Sequence, residues 1–252
     1  MAPQLDAKPK AMTVATTDNP EHTRRANLAA ASSGVPNVLW SNVLGRATVS
    51  IIVLLSIAVS VVAIGSGTGL IPLPYEMFVL AERMPVVFKA HMISSAFALL
   101  LIPAVIAMRR LPDVHRMLGR VLGAFVVIGG LTALPVAIFS HSSLVARAGF
   151  FVQGLVWMAL LASGIMAIRR GNRARHVSLM LAMAAVTTGA VWFRLMIGLA
   201  IYFHLPFEPV YSAAAWIGWL VPLAIVLYFP ALTQRLYARS GRLEERESER
   251  AK

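Results

Sequence analysis

The stretch His176-Val-Ser-Leu-Met180-Leu-Ala-Met183-Ala-Ala-Val186-Thr-Thr-Gly-Ala190-Val-Trp-Phe-Arg194-Leu-Met-Ile-Gly-Leu-Ala200-Ile-Tyr-Phe203 sets the class of this molecule. Its 28 residues hold a single permanent charge, Arg194. At ~1.5 Å of rise per residue a helix of this length exceeds the ~30 Å of a bilayer's hydrocarbon core. An arginine inside it costs at least ~2.5 kcal/mol to place near the bilayer centre, and such a residue usually faces a protein interior or a water-filled cavity.

Five more segments share this character. The expected spans are about 47–65, 86–108, 119–140, 148–168, 176–203 and 211–233. Lipid offers no partner to backbone N–H and C=O groups. Segments this long and this uniformly apolar therefore read as helices, not barrel strands. Composition agrees: 58% of residues are hydrophobic and 13% charged, against roughly 45–50% and 25% in soluble domains. The fold class is all-α, a polytopic bundle of six transmembrane helices.

Basic residues orient it. Arg109, Arg110, Arg116 and Arg120 follow the second span, and Arg169, Arg170, Arg173 and Arg175 follow the fourth. Arg46 precedes the first span and Arg235, Arg239 and Arg242 follow the last. The other connections hold only Arg83, Lys89 and Arg147, with Glu76, Glu82 and Glu208. The positive-inside rule then puts both termini in the cytoplasm, N-in and C-in, of a multi-pass protein of the bacterial inner (plasma) membrane. The net charge of +12 is mostly topological, and nothing in it calls for a nucleic-acid partner.

Residues 1–37 are polar and read as a disordered cytoplasmic tail without a cleaved signal peptide. Residues 38–238 form the membrane domain, with a four-helix core over about 86–203. Residues 239–252 form a second, charged cytoplasmic tail.

There is no cysteine, which excludes disulfides, covalently attached c-type haem, thiolate-bound clusters and thiol catalysis. Carboxylates are absent from the span interiors, so a redox site would rest on histidine. No catalytic constellation emerges, and the sequence leaves open whether the protein is an enzyme.

His115 opens the third span and His176 the fifth. Both spans run outward, so the two imidazoles share one level near the inner headgroups. As candidate ligands of a metal or of a haem edge they have Arg116, Arg120 and Arg175 beside them for acidic groups. The plainer reading makes the arginines topological anchors and each histidine a fastener of neighbouring loops. Gly119 and Gly123 have the small-xxx-small spacing that lets another helix approach, and Ser56 and Ser60 offer a similar face. Association within the chain or into a homo-oligomer is thus permitted.

His91 lies about one and a half turns inside the second span. Arg194 is 18 residues beyond His176, roughly 27 Å along the helix, which brings it near the depth of His91. A guanidinium stays charged in proteins, so Arg194 must meet Gln153 or a carbonyl, a loop glutamate, or an anionic ligand, unless it snorkels outward. Tyr75, Glu76, Glu82 and Arg83, in the connection from 65 to 85, are candidates to reach it or His91. Trp157, Trp192, Trp216 and Trp219 read as packing between helices or as walls for a flat ligand. His141 reads as an interfacial loop residue, and His22 and His204 as solvated.

Residues 86 to about 200 resemble a bacterial family of predicted membrane proteins known only as a domain of unknown function. The resemblance rests on His91, the run His115-Arg116-x-x-Gly119-Arg120, Ala167-Ile168-Arg169-Arg170-Gly171, Arg175-His176 with Met180, and Arg194. It implies a multi-span core and no particular activity. The layout is more distantly similar to membrane b-type cytochromes, which hold haem between histidines of a four-helix bundle. That likeness implies His115 and His176 as axial ligands on diagonally opposed helices. It departs from the pattern in the fourth span, which has no histidine.

These features point first to a redox membrane protein with a bis-histidine haem b or a quinone site, in contact with the lipid bilayer and with quinone or respiratory-chain components. The alternative is a non-redox carrier of a small anion or lipid, or an assembly factor for a respiratory complex.

Overall fold

A computed structural model describes residues 47–73 and 75–229. The expected tails over 1–37 and 239–252 lie outside the described residues. The chain divides into two units at Ile51. Of the first only residues 47–51 are described, as the opening turns of a helix; the second, from Ile52 onward, holds the bundle.

The described residues fold into seven α-helices: α1 Ala47–Thr68, α2 Tyr75–Arg83, α3 Pro85–Ala107, α4 Pro112–Phe139, α5 Leu144–Arg169, α6 Arg173–Tyr202 and α7 Phe207–Tyr228. All but α2 are long and apolar enough to cross a membrane, so the protein is an all-helical, multi-pass membrane bundle of six spans. α4 begins at Pro112, earlier than its apolar run, because proline suits a helix's first turn and Asp113 complements the helix N-terminus. α2 falls in the connection from 65 to 85. Leu80 buries its side chain in a cluster with Ala63 of α1 and Phe88, Met92 and Ala96 of α3. A nine-residue helix is held by that packing and not by propensity.

Helices α3 to α6 pack in sequence, α3 on α4, α4 on α5 and α5 on α6, and α6 returns to touch α3. That leaves α4 and α6 diagonally opposed. α7 lies against α5 and α6. One apolar cluster joins them: Ala98 and Ile102 of α3, Leu122 and Val126 of α4, Trp157 and Leu161 of α5, Met183 and Val186 of α6, and Trp219 of α7.

Lipid tails are as apolar as leucine, so close packing and interhelical hydrogen bonds hold such a bundle together in place of hydrophobic burial. Glycine supplies the closeness. A Cβ on Gly149 of α5 would meet the Ala215 carbonyl oxygen of α7 at 2.9 Å, and one on Gly189 of α6 would meet Trp219 Cβ at 2.8 Å. Trp157 Nε1 donates to Thr187 Oγ1 at 2.8 Å between α5 and α6, and Ser143, the N-cap of α5, shares a 2.6 Å hydrogen bond with Ser212 of α7. The outer surface carries large apolar side chains such as Leu54, Leu131, Leu155 and Leu227, suited to lipid. Ser56 and Ser60 are buried within the chain, so the small-residue face of α1 is taken up internally.

Candidate functional site

Two turns set the level of the expected ligands. The α5–α6 turn is a Schellman motif: Gly171 has φ +74°, its N–H reaches Ile168 O, and Asn172 N–H reaches Ala167 O. Asn172 then caps α6 by accepting from Arg175 N–H at 2.9 Å. A hairpin this tight lays the first turn of α6 beside the last turns of α5, and His176 Nδ1 lies 2.9 Å from Gly164 O. The α3–α4 connection is equally short, a 3₁₀ turn over Met108–Arg110 before Leu111 and Pro112. It brings His115 Nδ1 to 3.0 Å from Val105 O.

Each hairpin thus carries a histidine on its second helix, bonded to a carbonyl of its first. Both hairpin connections lie at the same end of the bundle. The histidines' fastening partners are helix backbones, not the neighbouring loops. A neutral imidazole facing a carbonyl must donate from Nδ1, which leaves Nε2 as the lone-pair nitrogen. Metal-bound histidines hold their second nitrogen in this way.

Helical periodicity shows where the rings face. His115 shares a stripe with Gly119, Leu122 and Val126; His176 shares one with Met180, Met183 and Thr187. Leu122, Val126, Met183 and Thr187 are all buried, so both histidines lie on core-facing stripes. His115, Gly119, His176 and Met180 are half-buried; a Cβ on Gly119 would meet nothing within 4 Å, while Met180 packs against Gly164 and the apolar cluster. Two turns deeper Ile102, Leu122, Leu161 and Met183 belong to that cluster. An Nε2 lone pair on each histidine is the kind of donor a haem iron takes. Among the described residues no hydrogen bond joins the two imidazoles, and no group of three or more His, Asp or Glu side chains gathers as a metal site.

Arg116, Arg120 and Arg175 are exposed around this end. The one salt bridge among the described residues joins Arg116 to Asp113 at 3.7 Å, both well exposed.

At the opposite end, Arg194 Nη1 donates to Ala190 O at 3.0 Å, one turn back toward the middle of α6. Side chains on a helix tilt toward its N-terminus, and here that direction leads away from the nearer membrane surface. Snorkelling is therefore not what Arg194 does, and the acceptor it finds is a carbonyl of its own helix. Gln153 donates instead to Val186 O at 3.2 Å. Arg194 lies within electrostatic reach of His91 and of Tyr211. His91 Nδ1 lies 3.0 Å from Gly129 O of α4 and 3.5 Å from Ser95 Oγ.

Tyr211 does not stand out in the sequence. It packs edge-on against Phe193 and Phe150, with ring centroids 5.1 and 6.0 Å away. The one available signal is its place in the first turns of a span, three residues after Glu208, which also acts on it electrostatically.

Arg83 stands over the Phe139 ring at 5.2 Å, Glu82 is exposed, and the side chains of Tyr75 and Glu76 lie outside the described residues. His141 and His204 are exposed. Trp157 and Trp219 are buried packing residues, and Trp192 faces outward.

Residues 88–229 match a family described as predicted membrane protein (DUF2306). No curated protein and no solved structure matches the chain.

Proposed function

The chain belongs to the DUF2306 family of predicted membrane proteins, and within that family we propose that it is an electron-transfer protein of the bacterial inner membrane, holding a b-type haem between His115 and His176. The observation that carries this reading is the repeated fixing of Nδ1 by a backbone carbonyl, at Val105 and at Gly164, on the core-facing stripes of two diagonal helices. Haem, when bound, supplies reversible one-electron chemistry.

The chain's own residues do the rest. The two carbonyls hold the imidazoles in one tautomer and one orientation, which raises the basicity of Nε2. Gly119, whose Cβ position meets nothing within 4 Å, leaves space on the same stripe as His115. Ile102, Leu122, Leu161 and Met183 form a dry floor that keeps water from the deeper bundle. Arg116, Arg120 and Arg175 surround the mouth with charge complementary to propionates. In the orientation proposed, N-in and C-in, this mouth faces the cytoplasm.

Protein expressed with ample haem and purified in detergent is expected to show a b-type α band in a reduced-minus-oxidised spectrum. His115→Ala and His176→Ala should each abolish it. A flat spectrum from wild-type protein, or a band that survives both substitutions, would overturn the reading. The buried charge of Arg194 favours a second one, a carrier of a small anion, and that reading gains if the spectrum is flat.

A further inference from the structure

We propose that His91, Arg194 and Tyr211 form a binding site for the oxygen-bearing head of a membrane-soluble quinone, at the end of the bundle away from His115 and His176. The three come from α3, α6 and α7, and their sequence separations leave only the tertiary fold to unite them. Periodicity puts Arg194 on the same stripe of α6 as Met183 and Thr187, and His91 on the same stripe of α3 as Ala98 and Ile102. Both therefore face the bundle interior.

Each presents one kind of polar atom. Arg194 Nη1 donates to Ala190 O, and a guanidinium carries four further N–H groups. They are donors for a carbonyl or phenolate oxygen. His91 is fixed at Nδ1 by Gly129 O, so Nε2 is free to accept from a hydroxyl. The Tyr211 hydroxyl both donates and accepts. A quinone–quinol head carries carbonyl oxygens in one redox state and hydroxyls in the other, so this set of one cation, one acceptor and one amphoteric hydroxyl serves both.

The walls suit a flat ring. Phe150, Phe193 and Tyr211 meet edge to face, with Phe150 and Phe193 centroids 5.3 Å apart. No carboxylate shares a span interior with Arg194, so the guanidinium is not neutralised from within the bundle. A ligand oxygen would offset a charge that otherwise costs ~2.5 kcal/mol or more to keep at this depth. A fully ionised phosphate head such as that of dodecyl phosphate shares the acceptor chemistry but has no hydroxyl to give His91.

The test is a titration of detergent-solubilised full-length protein with decylubiquinone, followed by quenching of tryptophan fluorescence, beside a parallel titration with dodecyl phosphate. We expect saturable quenching by the quinone, weakened at least tenfold in Arg194→Leu and in His91→Leu, and partly restored in Arg194→Lys. Tyr211→Phe, which keeps the ring and its packing, should weaken binding several-fold, so the proposal stays testable if a larger change impairs folding. Equal quinone binding by wild type and all variants would overturn it. So would saturable binding of dodecyl phosphate without binding of the quinone, which would assign the site to an anionic headgroup. Fluorescence reads this site whether or not haem is present, so failure here and failure of the haem assignment are separate results.

Discussion

Arg194 is the residue whose behaviour is least obvious from its type. A charge inside a membrane helix is a cost to folding unless something pairs with it, and its sole side-chain hydrogen bond among the described residues is to the Ala190 carbonyl. Replacement by leucine removes that cost. Arg194→Leu is therefore expected to melt at or above the wild-type temperature in detergent while losing ligand binding. A melting temperature lowered by several degrees would instead assign Arg194 a structural role. The three membrane histidines differ from it. His91, His115 and His176 each bind a carbonyl of an antiparallel neighbour, so each links helices as well as leaving a nitrogen available. Their positions were legible as residues at matched depths. Their partners were not, because a carbonyl carries no sequence signal and any residue type supplies one.

Among the elements, α5, α6 and α7 make the tightest set, and the reason is glycine. The position a Cβ would take on Gly149 lies 2.9 Å from Ala215 O, 3.0 Å from Trp216 Nε1 and 3.1 Å from Ala215 C. Two of these are backbone atoms that cannot rotate aside. Gly149→Ala should thus force α5 and α7 apart and cost about 1–3 kcal/mol, the usual range for overpacking, seen as a lowered melting temperature. Gly119→Ala, with nothing within 4 Å of the new methyl, is the matched control and should leave the melting temperature within error. The spacing of Gly119 and Gly123 promised a helix contact, yet the close approaches to another helix's backbone fall at Gly149, Gly189 and Gly218. Small-residue spacing marks where a helix can approach; which glycines are used depends on how the neighbouring helices cross. α2 was missed for a related reason. Its nine residues owe their helix to Leu80 finding Ala63 and Phe88, a tertiary event without a local pattern.

From one end of the bundle to the other, the interior reads as two polar levels separated by a dry one. His115 and His176 lie at the arginine-rich end, His91, Arg194 and Tyr211 near the other, and Ile102, Leu122, Val126, Leu161, Met183 and Val186 fill the middle. On α6 the two levels are 18 residues apart, roughly 27 Å. The orientation of this arrangement in the membrane is directly testable because the chain has no cysteine. In the topology proposed, His141→Cys should react with a membrane-impermeant maleimide from outside intact cells, and Arg170→Cys only after permeabilisation; both positions are exposed. The reverse pattern would invert the topology. The class of molecule and the depth of each polar residue follow from amino-acid order alone. Apolar runs of spanning length admit only helices in lipid, and helix rise converts residue number into depth. Which polar groups meet is a matter of packing. Depth leaves rotation about each helix axis and the choice of neighbour open, and both are set by how side chains from helices distant in sequence interlock. That is why Tyr211, unremarkable at its place in the chain, packs on Phe193, the neighbour of Arg194, while Gln153, at a suitable depth, turns to Val186.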